Sequence, residues 1–87
     1  QLKTSELNEL LAQIREGGNT VSDRGRRLKI QYATQTGSKP PVISFWCNAP
    51  DLVDDNYERF IENRLREKFS LVGTPIRLKF RKKVESN

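Results

Sequence analysis

At 87 residues the chain can form one small domain, and a hydrophobic fraction of 34% leaves it only a modest core. It has no histidine and a single cysteine, which excludes an internal disulfide, transition-metal sites and Ser-His or Cys-His catalysis within the chain. The net charge is +5. Segments 28–49 and 71–87 together hold 7 basic residues and 1 acidic one. This excess indicates an anionic partner, and nucleic acid is the first candidate.

The first predicted element is an amphipathic helix over residues 4–16. Thr4 or Ser5 is expected to cap it, because a hydroxyl there accepts a hydrogen bond from an unpaired amide of the first turn. Gly17-Gly18 is expected to end it, and residues 19–25 are predicted to form a polar loop. Four side chains recur at helical spacing and predict one apolar stripe: Leu7, Leu10, Leu11 and Ile14.

A strand is predicted next, over residues 27–35. Its apolar and polar residues alternate, and this period places Leu28, Ile30 and Tyr32 on the buried face. Lys29 and Gln31 then face water. A turn is expected over residues 36–39, closed by two prolines that cannot donate ladder hydrogen bonds.

The second strand of this hairpin is predicted over residues 42–48. Ile43, Phe45 and Cys47 are expected to point into the core. Trp46 is then left on the opposite face. Cys47 is expected to behave there as a small buried hydrophobe rather than as a nucleophile.

The second helix is predicted over residues 54–69, with Asp54 or Asp55 as its cap. Basic residues near its C-terminus, Arg64, Arg66 and Lys68, can be interpreted as nucleic-acid contacts or as a solvated end that matches the helix dipole. Acidic residues are interleaved with them, which favours the second interpretation.

The last strand is predicted over residues 75–82, and residues 82–87 are expected to be a fraying tail. Three apolar side chains are expected to point inward: Ile76, Leu78 and Phe80. Three cations alternate with them and are expected to point outward: Arg77, Lys79 and Arg81.

The order is therefore α-β-β-α-β, and the chain is predicted to be a single α+β domain over residues 1–87. The second helix is a crossover, so the strands that flank it run parallel, and the first strand is antiparallel to its neighbour. The second helix has an apolar stripe of its own, made of Tyr57, Phe60, Ile61, Leu65 and Phe69. Both helix stripes are expected to pack on one face of a three-stranded sheet, which gives a two-layer sandwich of KH-like element order.

Several runs of residues resemble the C-terminal KH-like domain of the bacterial Der (EngA) GTPases. They are GRRLKI (25–30), YATQTGSKPP (32–41), NAPDL (48–52), YERFIENRLRE (57–67) and GTPIRLKFR (73–81). The resemblance extends from about residue 25 to residue 81, and three separate motifs occur in the family's order. The first helix resembles the family more loosely, and Gly17-Gly18-Asn19-Thr20 stands where the family has a proline-rich loop.

The resemblance implies that the chain is a piece of a longer cytoplasmic GTPase with two GTP-binding domains that acts in assembly of the large ribosomal subunit. GTP and Mg would then bind to the parent's GTPase domains, and no cofactor is expected in this piece, which lacks a G-x-x-x-x-G-K-[ST] phosphate loop. The partners implied are those GTPase domains and the large ribosomal subunit or its RNA. No two glycines are three residues apart, so the G-x-x-G clamp of ordinary KH domains is absent.

Seven residues are the candidate contacts to RNA or a protein partner: Lys29, Gln31, Lys39, Trp46, Arg77, Lys79 and Arg81. The cations would neutralise phosphates and Trp46 would offer a stacking surface. Alternatively, the cations only keep a small domain soluble and Trp46 packs beneath a loop. A second functional hypothesis is a purely intramolecular module that docks on the parent's GTPase domains, with Trp46 and Tyr32 as anchors. No catalysis is expected in this piece.

Overall fold

The computed structural model describes residues 1–84, which form two α-helices, a three-stranded sheet and a small two-stranded sheet. In chain order the elements are α1 (Thr4–Glu16), β1 (Ser22–Asp23), β2 (Arg26–Arg27), β3 (Ile30–Ser38), β4 (Pro41–Cys47), a 3₁₀ turn (Pro50–Leu52), α2 (Asp55–Phe69) and β5 (Arg77–Lys82). The main sheet has the order β3-β4-β5, antiparallel between β3 and β4 and parallel between β4 and β5. The predicted α+β fold is confirmed, and residues 85–87 of the predicted tail lie outside the described residues.

One hydrophobic core joins both helices to one face of the main sheet. Phe45 of β4 is buried in it and stacks on Phe80 of β5, with ring centroids 4.9 Å apart. Leu7 of α1 and Ile61 of α2 are buried in the same cluster. Burying one side chain of this size contributes about 2–3 kcal/mol, so these contacts account for much of the fold's stability. The inward positions predicted for β4 and β5 are confirmed.

Helix α1 lies along the free edge of β3 and is tied to it by side chains. The amide nitrogen of Asn8 donates to the Ala33 carbonyl at 2.9 Å, and the Asn8 oxygen accepts from the Ala33 N–H at 3.0 Å. This amide therefore bonds β3 as a neighbouring strand would. The predicted cap was wrong, because Lys3 occupies the cap position and the Thr4 hydroxyl lies 3.2 Å from that of Thr34 instead.

The segment predicted as a polar loop contains a short hairpin. β1 and β2 pair antiparallel around Arg24 and Gly25, both with positive φ, a conformation that glycine adopts without steric cost. β3 begins only at Ile30, three residues later than predicted. Before Ile30 the backbone bonds to a side chain instead of a strand, because the Asn48 amide accepts from the Lys29 N–H at 2.7 Å and donates to the Arg27 carbonyl at 2.8 Å.

A register shift in β3 overturns the predicted orientation of Tyr32. Ile30 pairs with Cys47, but Tyr32 pairs with Trp46, so Gln31 is an extra residue in the ladder, as in a β-bulge. Beyond this shift Ala33 is fully buried and Tyr32 is 40% exposed. The prediction that Tyr32 faces the core and Ala33 faces water was therefore wrong.

The turn between β3 and β4 is shorter than predicted. β3 continues through Ser38, which pairs with Pro41, so the turn consists of Lys39 and Pro40, joined by a cis peptide bond. Gly37 is closely packed, because a Cβ atom at this position would lie 3.0 Å from a methyl group of Val42, which would then have to shift.

Helix α2 is capped at both ends, and its last turn also anchors the following loop. The Asp54 carboxylate accepts from the Tyr57 N–H at 2.8 Å, which confirms a predicted cap. The Arg66 guanidinium lies 3.0 Å from the Glu62 carboxylate and donates to the carbonyls of Leu71 at 2.7 Å and Thr74 at 2.6 Å. Arg66 is therefore bonded within the fold and only 25% of its side chain is exposed, so the predicted solvated end does not describe this residue.

Candidate nucleic-acid interface

The face of the main sheet opposite the helices, here called the open face, carries the cations of β5. Strand alternation places Leu78 and Phe80 against the core and sends the residues between them outward. Arg77, Lys79 and Arg81 pair in register with Val42, Ser44 and Trp46 of β4. Alternate residues of one strand are about 6.5 Å apart, which is close to the phosphate spacing along a nucleic-acid strand.

Two aromatic rings form a platform at one end of the open face. Tyr32 of β3 stacks on Trp46 of β4 with ring centroids 5.0 Å apart and an angle of 7° between the planes. The Lys83 ammonium lies 5.9 Å from the centroid of the Tyr32 ring, within the range of a cation–π contact. Arg81 is the register partner of Trp46, so the aromatic platform of Tyr32 and Trp46 has cations beside it.

The centre of the open face holds a pair of hydroxyls, of which one, that of Ser44, is buried. Ser44 is fully buried, and its hydroxyl lies 2.8 Å from that of Thr36. A buried hydroxyl without a partner would cost free energy, so this bond is what permits a serine here. The open face therefore offers a ring pair and cations around a flat, hydrogen-bonded middle.

The cations of the open face have no acidic partner among residues 1–84. The ion pairs in that range lie elsewhere: Arg26 with Asp51, Arg64 with Glu67, Arg66 with Glu62, and Lys68 with Glu9. Hydrogen bonding by Arg26 holds the pKa of the Asp51 carboxyl below its usual range. This acid therefore stays ionised, but its charge is matched by Arg26 and does not offset the open face.

The predicted contact residues fall into three groups. Trp46, Arg77, Lys79 and Arg81 share the open face. Lys39 is exposed at the β3–β4 turn, beside the Pro41 end of β4 from which Arg77 starts its pairing.

Lys29 and Gln31 lie at the other end of β3. Lys29 precedes the strand, and its backbone bonds to Asn48. Both residues line a cavity between α1 and β3, and Gln31 also borders a hollow formed with Lys82 and Lys83. The structure therefore places Lys29 beside the cavity and Gln31 between that cavity and the hollow at Lys82 and Lys83.

Two exposed side chains beside the open face were placed elsewhere by the sequence pattern. Tyr32 was assigned to the core, because no residue in the segment signals the shift that turns it outward. Lys83 was assigned to a fraying tail, yet its N–H donates to the Cys47 carbonyl at 2.8 Å and extends the pairing by one residue. The signal for Lys83 was present, since Lys79, Arg81 and Lys83 continue one alternation.

The buried thiol offers no nucleophile. Cys47 is fully buried, and its sulfur lies 3.6 Å from the Arg81 carbonyl. Burial raises the pKa of this thiol, so the unreactive protonated form dominates at neutral pH. Residues 1–84 contain no group of three or more His, Cys, Asp or Glu side chains that could hold a metal ion. Neither helix in that range is long and apolar enough to cross a membrane.

Comparison with known proteins places the chain beside the C-terminal part of a bacterial GTPase. Residues 1–81 match the family described as KH-domain-like of EngA bacterial GTPase enzymes, C-terminal. The GTPase Der of Chlorobium phaeobacteroides is 47% identical over 83 residues, which cover 95% of this chain and 19% of that protein. The GTPase Der proteins of Brevibacillus brevis and Heliobacterium modesticaldum are 46% and 47% identical over the same shares. The chain thus spans about a fifth of the length of these relatives.

Proposed function

The chain belongs to the family of KH-like domains at the C-terminus of the EngA bacterial GTPases, and from this premise we propose that its open face binds RNA of the large ribosomal subunit. In this proposal the domain is the accessory part of a cytoplasmic GTPase with two GTP-binding domains. The chemistry of GTP and Mg belongs to those domains, and this domain supplies contact and orientation.

The observation that carries the proposal is the row of unmatched cations on the open face. Arg77, Lys79 and Arg81 are exposed on one side of one strand and form no ion pair within residues 1–84. Cations in this state release condensed counterions when they neutralise phosphates, which drives binding to any nucleic-acid backbone. Such contacts give affinity and position but little sequence preference.

The aromatic platform supports RNA rather than a merely anionic partner. Tyr32 and Trp46 stack on each other, and Tyr32 keeps 40% of its surface exposed. An unpaired base can stack on such a ring, a contact worth about 1–3 kcal/mol per base and one that a duplex cannot make. The proposal therefore favours loops or bulges of ribosomal RNA over regular helices.

The test is the affinity of the 87-residue chain for ribosomal RNA fragments over a series of salt concentrations. Binding is expected to weaken with added salt, and Arg77→Glu with Lys79→Glu should lower both the affinity and the slope of that dependence. A matched control is Arg59→Glu, a charge reversal at an exposed position of α2. Binding that is undetectable, independent of salt, or equally weakened by the control contradicts the proposal.

A second candidate is the intramolecular module that docks on the parent's GTPase domains without touching RNA. It is favoured by the exposed aromatic pair with Arg81 beside it, a composition also typical of protein–protein hot spots. The double reversal at Arg77 and Lys79 in the full-length GTPase separates the two. Lost ribosome association with an unchanged GTPase rate supports RNA binding, and an altered GTPase rate without ribosomes supports the intramolecular module.

A further inference from the structure

A cavity of about 400 Å³ lies between α1, the loop that follows it and the start of β3. This size is at the small end of the roughly 300–1,000 Å³ typical of ligand sites, and it fits one bulky side chain with adjoining backbone. Its floor is aliphatic: Leu11 and Ile14 of α1, and Leu28 and Ile30 near β3. Each of these four exposes at most 6% of its surface, so the cavity is a narrow cleft rather than a broad patch.

Hydrogen bonds hold the walls of this cleft in place. The Tyr57 hydroxyl donates to the Asn19 carbonyl at 3.1 Å, and the Thr20 hydroxyl donates to the Leu28 carbonyl at 2.8 Å. The Arg15 guanidinium donates to the Ile30 carbonyl at 2.9 Å. Because these groups already have partners, the cleft exists without a ligand and need not form on binding.

The mouth of the cleft is positively charged. Arg15, Arg27 and Lys29 line it, each is exposed, and none forms an ion pair within residues 1–84. No Asp or Glu side chain lines the cleft. Asp54 borders a separate hollow beyond Tyr57.

The combination of an aliphatic floor and a cationic mouth selects one kind of partner. Unpaired bases are bound mainly by aromatic or guanidinium planes and by polar edges. In this cleft such groups stand only at the walls and the mouth, as Tyr57, Arg15 and Arg27, whereas the floor is aliphatic. An apolar side chain gains from burial against four aliphatic residues, and carboxylates on its flanks match the three cations. The open face differs in its apolar part, since it presents exposed aromatic rings beside its cations instead of a buried aliphatic floor.

We propose that this cleft is a docking site for an acidic peptide segment of a partner protein, with one bulky apolar side chain seated on the floor and carboxylates at Arg15, Arg27 and Lys29. It is a second interface, spatially separate from the open face and independent of whether that face binds RNA. The cations attract and orient the segment, and the apolar side chain fixes its position.

The test uses the 87-residue chain labelled with ¹⁵N and a nine-residue peptide of Asp and Glu with one central Leu. Addition of the peptide is expected to shift the amide signals of Leu28, Ile30 and Thr20 and to leave those of Lys79 and Arg81 unchanged. Replacing the central Leu of the peptide by Ala should abolish the shifts, since the apolar contact is then lost.

Two charge-reversal variants, Arg27→Glu at the cleft and Arg77→Glu on the open face, are compared for peptide binding. Arg27→Glu is expected to weaken peptide binding by roughly five- to tenfold, because an exposed attraction is replaced by a repulsion. The milder Arg27→Gln should weaken it less. Arg77→Glu reverses a charge on the open face and should leave peptide affinity unchanged while it lowers RNA affinity. An unchanged circular dichroism spectrum and thermal midpoint show that each variant is folded.

Several results would overturn the docking proposal. They are no shift at millimolar peptide, equal binding of the Leu and Ala peptides, or equal loss of binding in Arg27→Glu and Arg77→Glu. Shifts of the Leu28 and Ile30 signals by a ten-nucleotide oligouridylate, or by raising the concentration of the chain alone, would assign the cleft to RNA or to a second copy instead. Failure of RNA binding at the open face leaves these outcomes unaffected.

Discussion

β3 and β5 are the two outer strands of one sheet, yet their free edges are protected in different ways. The edge of β3 is bonded by side chains of α1: Asn8 pairs with the backbone of Ala33, and Arg15 reaches the Ile30 carbonyl. β5 instead presents exposed cations at four of its six positions. A covered edge contributes to folding, whereas a charged edge discourages pairing with other strands and stays free to bind. The two outer strands thus differ: β3 is bonded into the fold along its edge, and β5 leaves its cations exposed.

The largest expected effect on stability comes from removing the side-chain hydrogen bonds between α1 and the edge of β3. Asn8→Ala deletes both hydrogen bonds to Ala33 and leaves a partly buried N–H and carbonyl without protein partners. We expect the free energy of unfolding to fall by about 2 kcal/mol, measured by urea denaturation. Asn63→Ala, at an exposed position of α2, is the control and should be nearly neutral. Equal stability of the two variants would mean that α1 does not secure this edge.

A smaller effect is expected where β3 contributes to the open face. Tyr32 and Trp46 stack at 5.0 Å, and a double-mutant cycle with Tyr32→Ala and Trp46→Ala should give a coupling energy of about 1 kcal/mol. Each single substitution should also weaken RNA binding. A coupling energy within experimental error would show that the two rings are not stacked in solution.

The thiol between the outer strands gives a pH-dependent test. Cys47 lies on β4, paired with Ile30 on one side and Lys82 on the other. Because burial raises its pKa, the folded chain keeps a proton that the unfolded chain has lost. The free energy of unfolding should therefore be unaffected below about pH 8 and fall as the pH rises through and above about 8.5.

Cys47→Ala is the comparison for this titration, and its unfolding free energy should decline less between about pH 8 and 9.5. The comparison stops at about pH 9.5 because burial also raises the pKa of Tyr57. Above that pH, titration of Tyr57 lowers the free energy of unfolding of both proteins as well. Urea denaturation at each pH supplies the measurement. Parallel curves for the two proteins, or rapid labelling of Cys47 at neutral pH, would contradict its buried position.

The smallest effect on stability is expected at the β5 edge. Replacing Lys79 and Lys82 by Thr should change the free energy of unfolding by only about 0.5 kcal/mol, since both side chains are exposed. The same change removes the charges that oppose edge-to-edge pairing, so light scattering should detect association at high protein concentration. Arg59→Thr on α2 is the control and should remain dispersed. If the doubly substituted chain stays monomeric, the charges of β5 serve binding alone.

The alternation of β4 and β5 was predictable because it is a local property. Ile43 and Phe45 point inward and Arg77 and Lys79 point outward, as a period of two requires once one face is buried. The fold class followed from these strands and from the apolar stripe of α1. The family motifs reinforced the prediction but did not decide which way any side chain points.

What could not be predicted depends on contacts between distant residues. The bulge at Gln31 exposes Tyr32, and it is visible only in the pairing with β4. The late start of β3 depends on the side chain of Asn48, about twenty residues away in the chain. The cleft beside α1 likewise joins a helix, a loop and Tyr57, and no single segment shows it. Its charge was visible in the sequence as Arg15, Arg27 and Lys29, but their proximity was not.

The hydrogen bonds from Arg66 to the α2–β5 loop have a consequence for which side chains of β5 face the core and which face outward. The Arg66 guanidinium bonds the carbonyls of Leu71 and Thr74 and so holds the conformation of this loop. The conformation determines how many residues lie between α2 and the start of the β5 pairing with β4. A slip of one residue would exchange odd and even positions, burying Arg77 and Lys79 and exposing Leu78 and Phe80. One guanidinium at the end of a helix thus supports the register that the apolar residues of β5 select, and with it the set of side chains that the domain exposes.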